Sequence, residues 1–447
     1  MFSRRNFLRT TGLGLAGLMA TPSTFAAAAA ESKKKNKKTS ANDKLNIAFI
    51  GLGQQCMHLL NGFIPMEDVR VVAGCDVYDI KRNRFEKRVK DFYSGKGEKK
   101  VKVDLYEDYQ DVLARPDVDA VVIATPDHQH AIIAIEACKA GKDIYLEKPM
   151  TLTIYEGQLL CKAVRKYNRI LQVGSMQRSS NEFIHAANVV REGMLGDIHH
   201  VQVFVGRNVT PNSGAPAPYN LKKMGCPEGL NWDKWLGPLP TSVYYNSDLD
   251  PIITDEQNEQ LWGAWRWYKP MGGGFNTDWG AHMFDVAQWA LGKDGSGPVE
   301  ITPPEYGYCH SLTYKYDNGV TMTEEDFGFG QGVKVFGSEG WIAVARGKFE
   351  CSDKKFDMQN QMAQSDLPYE TQAGHYAIFT NSMRTRIDPN VPVETGHSSC
   401  TVCNLANIAI ELGRPVKWNP VVQKFMHDEE ATKLLHYKYR DGYKLEI

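Results

Sequence analysis

The chain has 447 residues, of which 42% are hydrophobic and 23% are charged, and its formal net charge is −1. These proportions are typical of a soluble globular protein, and the length suggests two domains behind an N-terminal segment. The balanced charge argues against nucleic acid or a membrane surface as a partner. Nine cysteines without regular spacing disfavour a disulfide framework, and we expect the close pair Cys400 and Cys403 to lie in a buried helix.

Residues 1–30 have the features of an export signal. Arg4 and Arg5 precede an apolar run too short to cross a bilayer, and residues 26–30 offer cleavage sites between small side chains. Paired arginines before a weakly apolar stretch are typical of a twin-arginine signal, which directs folded proteins across a membrane. An ordinary secretory signal is the alternative. Residues 31–44 are polar and basic and predict a flexible linker. From the export signal we expect a periplasmic mature protein.

Apolar strands alternate with helical stretches in residues 45–168, which predicts a Rossmann-type domain with a parallel sheet covered by helices. The strand sequences are LNIAFIG, VRVVAGCDV, VDAVVIATP and DIYLEKPM. The turn after the first strand carries Gly51 and Gly53, the first two glycines of a dinucleotide fingerprint, with Gln54 and Gln55 beside them. Cys56 stands at the third glycine position, where it is small enough to serve imperfectly.

An acidic residue at the end of the second strand strengthens this prediction. Asp76 lies 25 residues after Gly51, where a carboxylate can accept both ribose hydroxyls of an adenosine. That carboxylate favours NAD, since it would face the 2′-phosphate of NADP. The nearby Lys81, Arg82 and Arg84 keep NADP open as the alternative.

Residues 169–447 predict a second domain of the α/β class. Its segments LTYKYDNG and VTMTEEDFG are expected to pair as hairpins of a largely antiparallel open sheet. The segment DEEATKLLHYKY predicts a helix near the C-terminus.

Several ordered motifs resemble one family of oxidoreductases. They are ATPDHQHA (124–131), YLEKPM (145–150), GGGFNTDWGAHMFDVAQWALG (272–292), VFGSEGWIAV (335–344) and ETGHSSCTVCNLANIAIELGRPVKWNP (394–420). On these residues the chain resembles the glucose-fructose oxidoreductase, inositol dehydrogenase and rhizopine-catabolism family, called Gfo/Idh/MocA. The resemblance implies a nicotinamide cofactor, a carbohydrate or cyclitol substrate, and oligomer contacts on the outer face of the second sheet. It departs at Cys56 and in the loop 208–262, so substrate specificity stays open.

Three residues are candidates for the chemistry. Hydride transfer from an alcohol needs a base and a group that stabilises the developing alkoxide. Lys148 follows a strand of the parallel sheet at its carboxyl end, where such folds bind ligands. Asp278 and His282 are four residues apart, so on one helix the carboxylate would orient the imidazole and stabilise its protonated form. The resemblance implies that all three form the catalytic group.

Other candidates come from the same motifs. The resemblance implies cofactor contacts around one helix start, at Thr125, Pro126, His128 and His130. It also implies contacts after a later strand, at Glu147 and Lys148. His128 and His130 are equally well explained as structural. Substrate hydroxyls or a carboxylate are expected to contact Gln177, Arg178, Arg266 and Tyr268. No metal site is predicted.

The leading hypothesis is an NAD(P)-dependent oxidoreductase acting on a secondary hydroxyl of a sugar, glycoside or cyclitol. One alternative is a glycosidase or lyase that oxidises a sugar carbon, eliminates the neighbouring substituent and returns the hydride, although such relatives carry YPTH where this chain has DWGAH. A second is a non-catalytic sugar-binding protein. Because free NAD is not expected outside the cytoplasm, we predict a tightly bound cofactor, re-oxidised by a second sugar or a redox partner. A homo-oligomer is expected.

Overall fold

A computed structural model of the chain describes residues 44–206, 214–250, 262–357 and 372–447. The predicted export signal and almost all of the linker lie outside the described residues. Within those ranges, none of the helices has both the length and the apolar character needed to cross a membrane.

The first sheet has six strands in the order β3-β2-β1-β4-β5-β6, and each neighbouring pair is parallel. The strands are β1 (Leu45–Ile50), β2 (Val69–Cys75), β3 (Asp104–Tyr106), β4 (Ala120–Ile123), β5 (Asp143–Leu146) and β6 (Leu171–Val173). All four residues of β4 and of β5 are buried, because helices cover both faces of the sheet. The predicted Rossmann-type domain is confirmed, and its last strand lies just past the expected boundary at residue 168.

Five helices connect these strands and cover the two faces of the sheet. They are α1 (Gln54–Phe63), α2 (Asp79–Gly95), α3 (Tyr109–Leu113), α4 (Asp127–Lys139) and α5 (Ile154–Lys166). A capping box starts α5: the Thr153 hydroxyl accepts from the Glu156 N–H at 3.3 Å, and the Glu156 carboxylate accepts from the Thr153 N–H at 3.0 Å. This cap places Glu156 in the interior.

The second sheet has nine strands in the order β15-β14-β13-β7-β12-β11-β10-β16-β17. The pair β7 and β12 is parallel and the other pairs are antiparallel, which confirms the expected largely antiparallel sheet. The strands are β7 (Ile198–Phe204), β10 (Glu300–Thr302), β11 (Leu312–Lys315), β12 (Thr321–Glu324), β13 (Gly332–Gly337), β14 (Gly340–Ala345), β15 (Lys348–Cys351), β16 (Val416–Asn419) and β17 (Lys424–Phe425). A two-stranded pair, β8 (Ala217–Pro218) and β9 (Tyr268–Lys269), lies apart from it.

Apolar side chains on one face of this sheet pack against three helices of the second half of the chain. The helices of this half are α6 (Asn181–Arg191), α7 (Trp232–Leu236), α8 (Phe275–Asp278), α9 (Gly280–Ala290), α10 (Gln372–Thr385), α11 (Val393–Leu412) and α12 (Glu429–Lys433). Of these, α6, α9 and α11 cover the sheet. Cys400 and Cys403 are buried free thiols in α11, as expected.

Two late segments return to the first domain. Tyr376, Phe379 and Met383 of α10 join the apolar core on one face of the first sheet. Tyr443 and Leu445 of the C-terminal tail pack against the core on the other face. The two domains are therefore joined by packing as well as by the chain.

Residues 226–250, which we call the strap, run over the first domain where β2 ends. The Asn231 N–H donates to the Val77 carbonyl at 2.9 Å, and the Asp79 N–H donates to the Gly229 carbonyl at 3.1 Å. A small apolar cluster, which includes Tyr78 of the first domain and Trp235 of the strap, fills the space beneath. The strap thereby forms one wall of a cleft.

Candidate functional site

A cleft of about 960 Å³ lies between the carboxyl ends of the first sheet and the second half of the chain. Its first-domain wall comes from the residues that follow β1, β2, β4, β5 and β6, and its opposite wall comes from the strap, the α8–α9 region and the β14–β15 hairpin. Ligands of parallel α/β sheets bind at this edge. The cleft is therefore the candidate site.

The turn after β1 allows close backbone approach. Gly51 has φ +80°, and a Cβ atom there would lie 2.6 Å from the Thr125 backbone nitrogen. Gly53 precedes α1 and supplies no side-chain cap, and the N-terminus of this ten-residue helix, with its partial positive charge, lies at the wall of the cleft. Gly51, Gly53, Gln54 and Gln55 all line the cleft. This geometry fits the pyrophosphate of a dinucleotide.

Two further observations support that fit. The Thr125 hydroxyl is buried without a hydrogen-bond partner, and it lies in the cleft beside Pro126. The Gln55 amide donates to the Glu147 carboxylate at 2.9 Å, which ties the first turn to the end of β5. Cys56 is fully buried behind this wall, in keeping with a packing role at the third glycine position.

Two carboxylates lie in the part of the cleft next to β2, where the adenosine ribose of a dinucleotide is expected and which we call the ribose end. Asp76 accepts from the Leu52 N–H at 2.7 Å and from the Tyr78 N–H at 2.9 Å, and burial raises its pKa. Asp250 of the strap is buried, with one oxygen paired to Lys81 and the other without a hydrogen-bond partner among the residues that the structure describes. Sequence reasoning missed Asp250, because only tertiary folding brings the strap to β2.

The three cations that kept NADP open are already engaged. Lys81 forms the buried ion pair with Asp250. Arg82 donates to the Asp76 carbonyl, and Arg84 donates to the Leu52 carbonyl at 2.6 Å. These contacts hold the turns after β1 and β2 in place.

Lys148 and Asp278 form an ion pair at the other end of the cleft. Lys148 Nζ donates to Asp278 Oδ1 at 2.9 Å and to its carbonyl oxygen at 3.0 Å. Arg266 Nε lies 3.6 Å from the same carboxylate oxygen. Burial opposes ionisation of Asp278, but the charges of Lys148 and Arg266 outweigh it and lower its pKa.

His282 has a different environment from the expected one. The helix breaks at Trp279, between α8 and α9, and Asp278 pairs with Lys148 instead of the imidazole. The Gln177 amide lies between His282 and Arg346: its nitrogen donates to His282 Nδ1 at 2.8 Å, and its oxygen accepts from Arg346 Nη2 at 3.0 Å. His282 Nε2 lies 3.2 Å from the same Arg346 Nη2.

The charge state of His282 corrects the sequence expectation. Burial, together with the charges of Lys148 and Arg346, holds its pKa well below the usual value. The site therefore favours the neutral imidazole, whereas the spacing predicted a stabilised imidazolium.

Five predicted residues do not line the cleft: Gln177, described above beside His282, and four others. Arg178 is buried and paired with Asp285 at 2.8 Å and Asp294 at 2.6 Å, so its guanidinium cannot contact a substrate. Tyr268 packs in the apolar cluster beside Tyr219. The other two are His128 and His130.

Both of these histidines are structural. His128 Nε2 lies 2.9 Å from the Trp235 carbonyl, and His130 joins the Thr125 and Pro149 carbonyls at 2.9 and 2.8 Å. Burial lowers the pKa of each imidazole to about 4, so both are neutral. Gln177 lies behind His282 and Arg346 and contacts both side chains.

The cleft also contains residues that sequence reasoning missed. Asp127, inside the quoted motif ATPDHQHA, lines the cleft, and burial raises its pKa to about 8. Arg346 lies in the β14–β15 hairpin, and no sequence motif around it marks it as a site residue. Aromatic side chains complete the wall: Trp262, Trp265, Trp267, Phe275 and Trp279.

Comparisons with known proteins agree with this architecture. Residues 45–175 match the oxidoreductase family, NAD-binding Rossmann fold, and residues 182–445 match the oxidoreductase family, C-terminal alpha/beta domain. A glycosyl hydrolase family 109 protein of Shewanella baltica is 30% identical over 216 residues, and one of Shewanella pealeana is 29% identical over 212. Each match covers 44% of this chain and 44% of the relative, so the chain spans less than half the length of these curated relatives.

Solved structures share the whole fold. The WlbA dehydrogenase of Bordetella pertussis, in complex with NADH and UDP-GlcNAcA, has a TM-score of 0.58 at 17% identity and covers 84% of this chain and 97% of its own. The aldose-aldose oxidoreductase of Caulobacter crescentus has a TM-score of 0.54 at 19% identity, with coverage of 84% and 99%. With both domain models matched in order, the chain belongs to the Gfo/Idh/MocA family of oxidoreductases.

Proposed function

We propose that this protein transfers a hydride between a tightly held NAD and a secondary hydroxyl of a sugar, glycoside or cyclitol. The observation that carries the proposal is the Lys148–Asp278 pair, which lies at the carboxyl end of β5 in the same cleft as the Gly51 turn. A proton-handling group and a dinucleotide turn in one cleft are what alcohol oxidation requires.

The residues fall into complementary roles. When bound, the nicotinamide ring supplies the atom that accepts or donates hydride. Lys148 donates to the reacting oxygen and stabilises the developing alkoxide, while Asp278 positions the ammonium group. The neutral His282 serves as the proton acceptor, and the Gln177 amide holds its ring beside Arg346. Indole faces of the wall offer flat apolar surface to a sugar ring.

The ribose end supports NAD over NADP and supports retention. Asp76 and Asp250 place two carboxylates where a 2′-phosphate would lie, and the cations nearby are engaged. The strap covers this end, so the dinucleotide cannot leave sideways while the strap is docked. Retention agrees with the twin-arginine signal expected in residues 1–30, and we propose a periplasmic protein loaded before export. Re-oxidation would use a second sugar or a redox partner, and the outer face of the second sheet would join homo-oligomers.

A second candidate is a glycosidase that oxidises, eliminates and re-reduces its substrate. The 30% identity to glycosyl hydrolase family 109 proteins favours it. The same Lys148 and His282 would serve both reactions, since both begin with oxidation of a carbinol carbon. The oxidoreductase leaves an oxidised product and a reduced cofactor, whereas the glycosidase returns the hydride and has no net redox change.

One experiment tests both candidates. We would denature purified protein to quantify released NAD(H), then incubate intact protein with a glycoside panel, with and without an added acceptor. Keto product that requires the acceptor supports the oxidoreductase, whereas cleaved glycoside without net redox supports the second candidate. Lys148→Met should lower kcat/KM by about 10²- to 10⁴-fold with bound NAD unchanged.

The exposed Lys139→Met, on α4, is the matched control and should keep full activity. Protein that neither contains nor binds a dinucleotide would contradict both candidates. Turnover unaffected by Lys148→Met would contradict the assigned role of Lys148.

A further inference from the structure

The reacting end of the cleft has more positive than negative charge. Lys148, Arg266 and Arg346 supply three cations there. Two carboxylates lie beside them, Asp278, which its neighbours hold ionised, and the buried Glu147, which accepts from the Gln55 amide. Asp127, with a pKa of about 8, is mostly protonated at neutral pH. A carbohydrate without charge would leave this excess uncompensated in a half-enclosed site.

Arg346 is the cation without an acidic partner. In the part of the chain that the structure describes, Lys148 pairs with Asp278, and the buried Arg178 pairs with two aspartates, but no carboxylate forms an ion pair with Arg346. Its guanidinium lies 4.7 Å from the centre of the Trp279 ring, its Nη2 lies 3.2 Å from His282 Nε2, and its Nε and Nη2 donate to the Gln177 amide oxygen at 3.2 and 3.0 Å. The remaining N–H groups of its planar fork suit an incoming carboxylate.

We infer that the substrate is an acidic carbohydrate, of the uronic acid class, whose carboxylate binds Arg346 while its ring packs on the indoles of the cleft. The inference rests on the proposed function only in taking a carbohydrate as the ligand. A carboxylate matches the Arg346 guanidinium, which has no acidic partner among the described residues, and it would compensate the excess charge.

Binding measurements on the purified protein with its cofactor test this inference. We would titrate glucuronate, galacturonate and mannuronate against glucose, galactose and mannose by calorimetry at fixed ionic strength, with glucuronamide as the uncharged analogue. Glucose 6-sulfate and glucose 6-phosphate distinguish other anions from a carboxylate. We expect at least one uronate to bind about 10- to 100-fold more tightly than its neutral partner, the size of a charge-assisted pair.

Three variants test whether Arg346 causes the preference for uronates. Arg346→Gln should lower the affinity for uronates more than that for neutral sugars and so remove most of the uronate preference, and Arg346→Lys should restore part of it. Lys348→Gln removes one positive charge from the same hairpin outside the cleft and should keep the preference. Melting temperatures of all three show whether the fold is intact.

The outcomes separate this inference from the proposed function. Equal binding of uronates and neutral sugars, no uronate binding, a preference for the sulfate or phosphate, or equal losses in Arg346→Gln and Lys348→Gln would each overturn the inference. Oxidation of neutral sugars without dependence on Arg346 overturns it while the proposed function stands. An Arg346-dependent uronate preference without oxidised or cleaved product leaves the inference standing and contradicts the proposed function.

Discussion

Asp127 is a buried carboxyl group without a hydrogen-bond partner among the described residues. It is the first residue of α4, only 4% exposed, and it lies within electrostatic range of Arg266, Asp278 and Lys148. Burial outweighs the two cations and raises its pKa to about 8. The group therefore keeps its proton at neutral pH and can donate to a ligand.

This raised pKa makes stability depend on pH. The native state holds the proton up to about pH 8, whereas the unfolded state loses it near pH 4. The stabilising contribution is thus complete below pH 4 and disappears as the pH rises through 8. Asp127→Asn cannot ionise, so relative to wild type its free energy of unfolding should rise by roughly 1.4 kcal/mol per pH unit across this window.

Urea unfolding at pH 5, 7 and 9 measures the difference. Asp111→Asn, at an exposed position on α3, is the control and should follow the wild type at each pH. If the free energy of unfolding of Asp127→Asn changes with pH in the same way as that of the wild type, the raised pKa of Asp127 is contradicted.

Single residues were predictable where the local motif decides their position. Lys148, Asp278, His282 and Arg266 all line one cleft, as the motifs indicate. Arg178 was wrongly predicted because its partners, Asp285 and Asp294, are more than 100 residues away in sequence. Long-range ion pairing of this kind leaves no trace in a local pattern.

At the scale of elements, strands were the easiest to predict and the strap was the hardest. The four buried strands of the first sheet are continuous apolar runs between turn residues, which identify them directly. The strap contains one short helix, Trp232–Leu236, and it is held by contacts to distant loops. Its position depends on tertiary partners, so periodicity could not reveal it.

The Lys81–Asp250 pair is the strap's buried ionic contact to the first domain. Asp250→Asn removes the carboxylate charge and leaves the Lys81 cation next to the ribose end. We expect faster release of NAD, and a shift of about tenfold in relative affinity toward NADP, because the cation can then meet a 2′-phosphate. Stopped-flow displacement and equilibrium titration with both dinucleotides measure these quantities.

Asp248→Asn is a matched control, because Asp248 is an exposed residue of the same strap. It should leave both the release rate and the cofactor preference unchanged. A loss of stability in Asp250→Asn with an unaltered NAD-to-NADP ratio would limit the pair to a structural role.

At the scale of the whole molecule, the C-terminal residues link the two domains. The Tyr439 hydroxyl donates to the Glu156 carboxyl group at 2.6 Å, in a contact that spans 283 positions of the chain. Glu156 is fully buried, and burial raises its pKa to about 7. The Glu156 carboxyl group therefore belongs to the capping box of α5 and also binds the C-terminal tail.

Tyr439→Phe tests this link. It leaves the buried carboxyl group one donor short, so we expect a loss of about 1 to 3 kcal/mol in the free energy of unfolding. Calorimetric unfolding measures it, with Tyr308→Phe as the control at a fully exposed ring. Equal melting temperatures for the two variants would show that the tail adds nothing through this contact.

The return of α10 and the tail to the first sheet has a consequence for the order of synthesis. Phe63 and Tyr145 emerge from the ribosome more than 200 residues before Tyr376 and Phe379, the rings that cover them. The apolar core on this face of the first sheet therefore stays incomplete until α10 has been synthesised. Completion of the nucleotide-binding domain depends on residues from the second half of the chain.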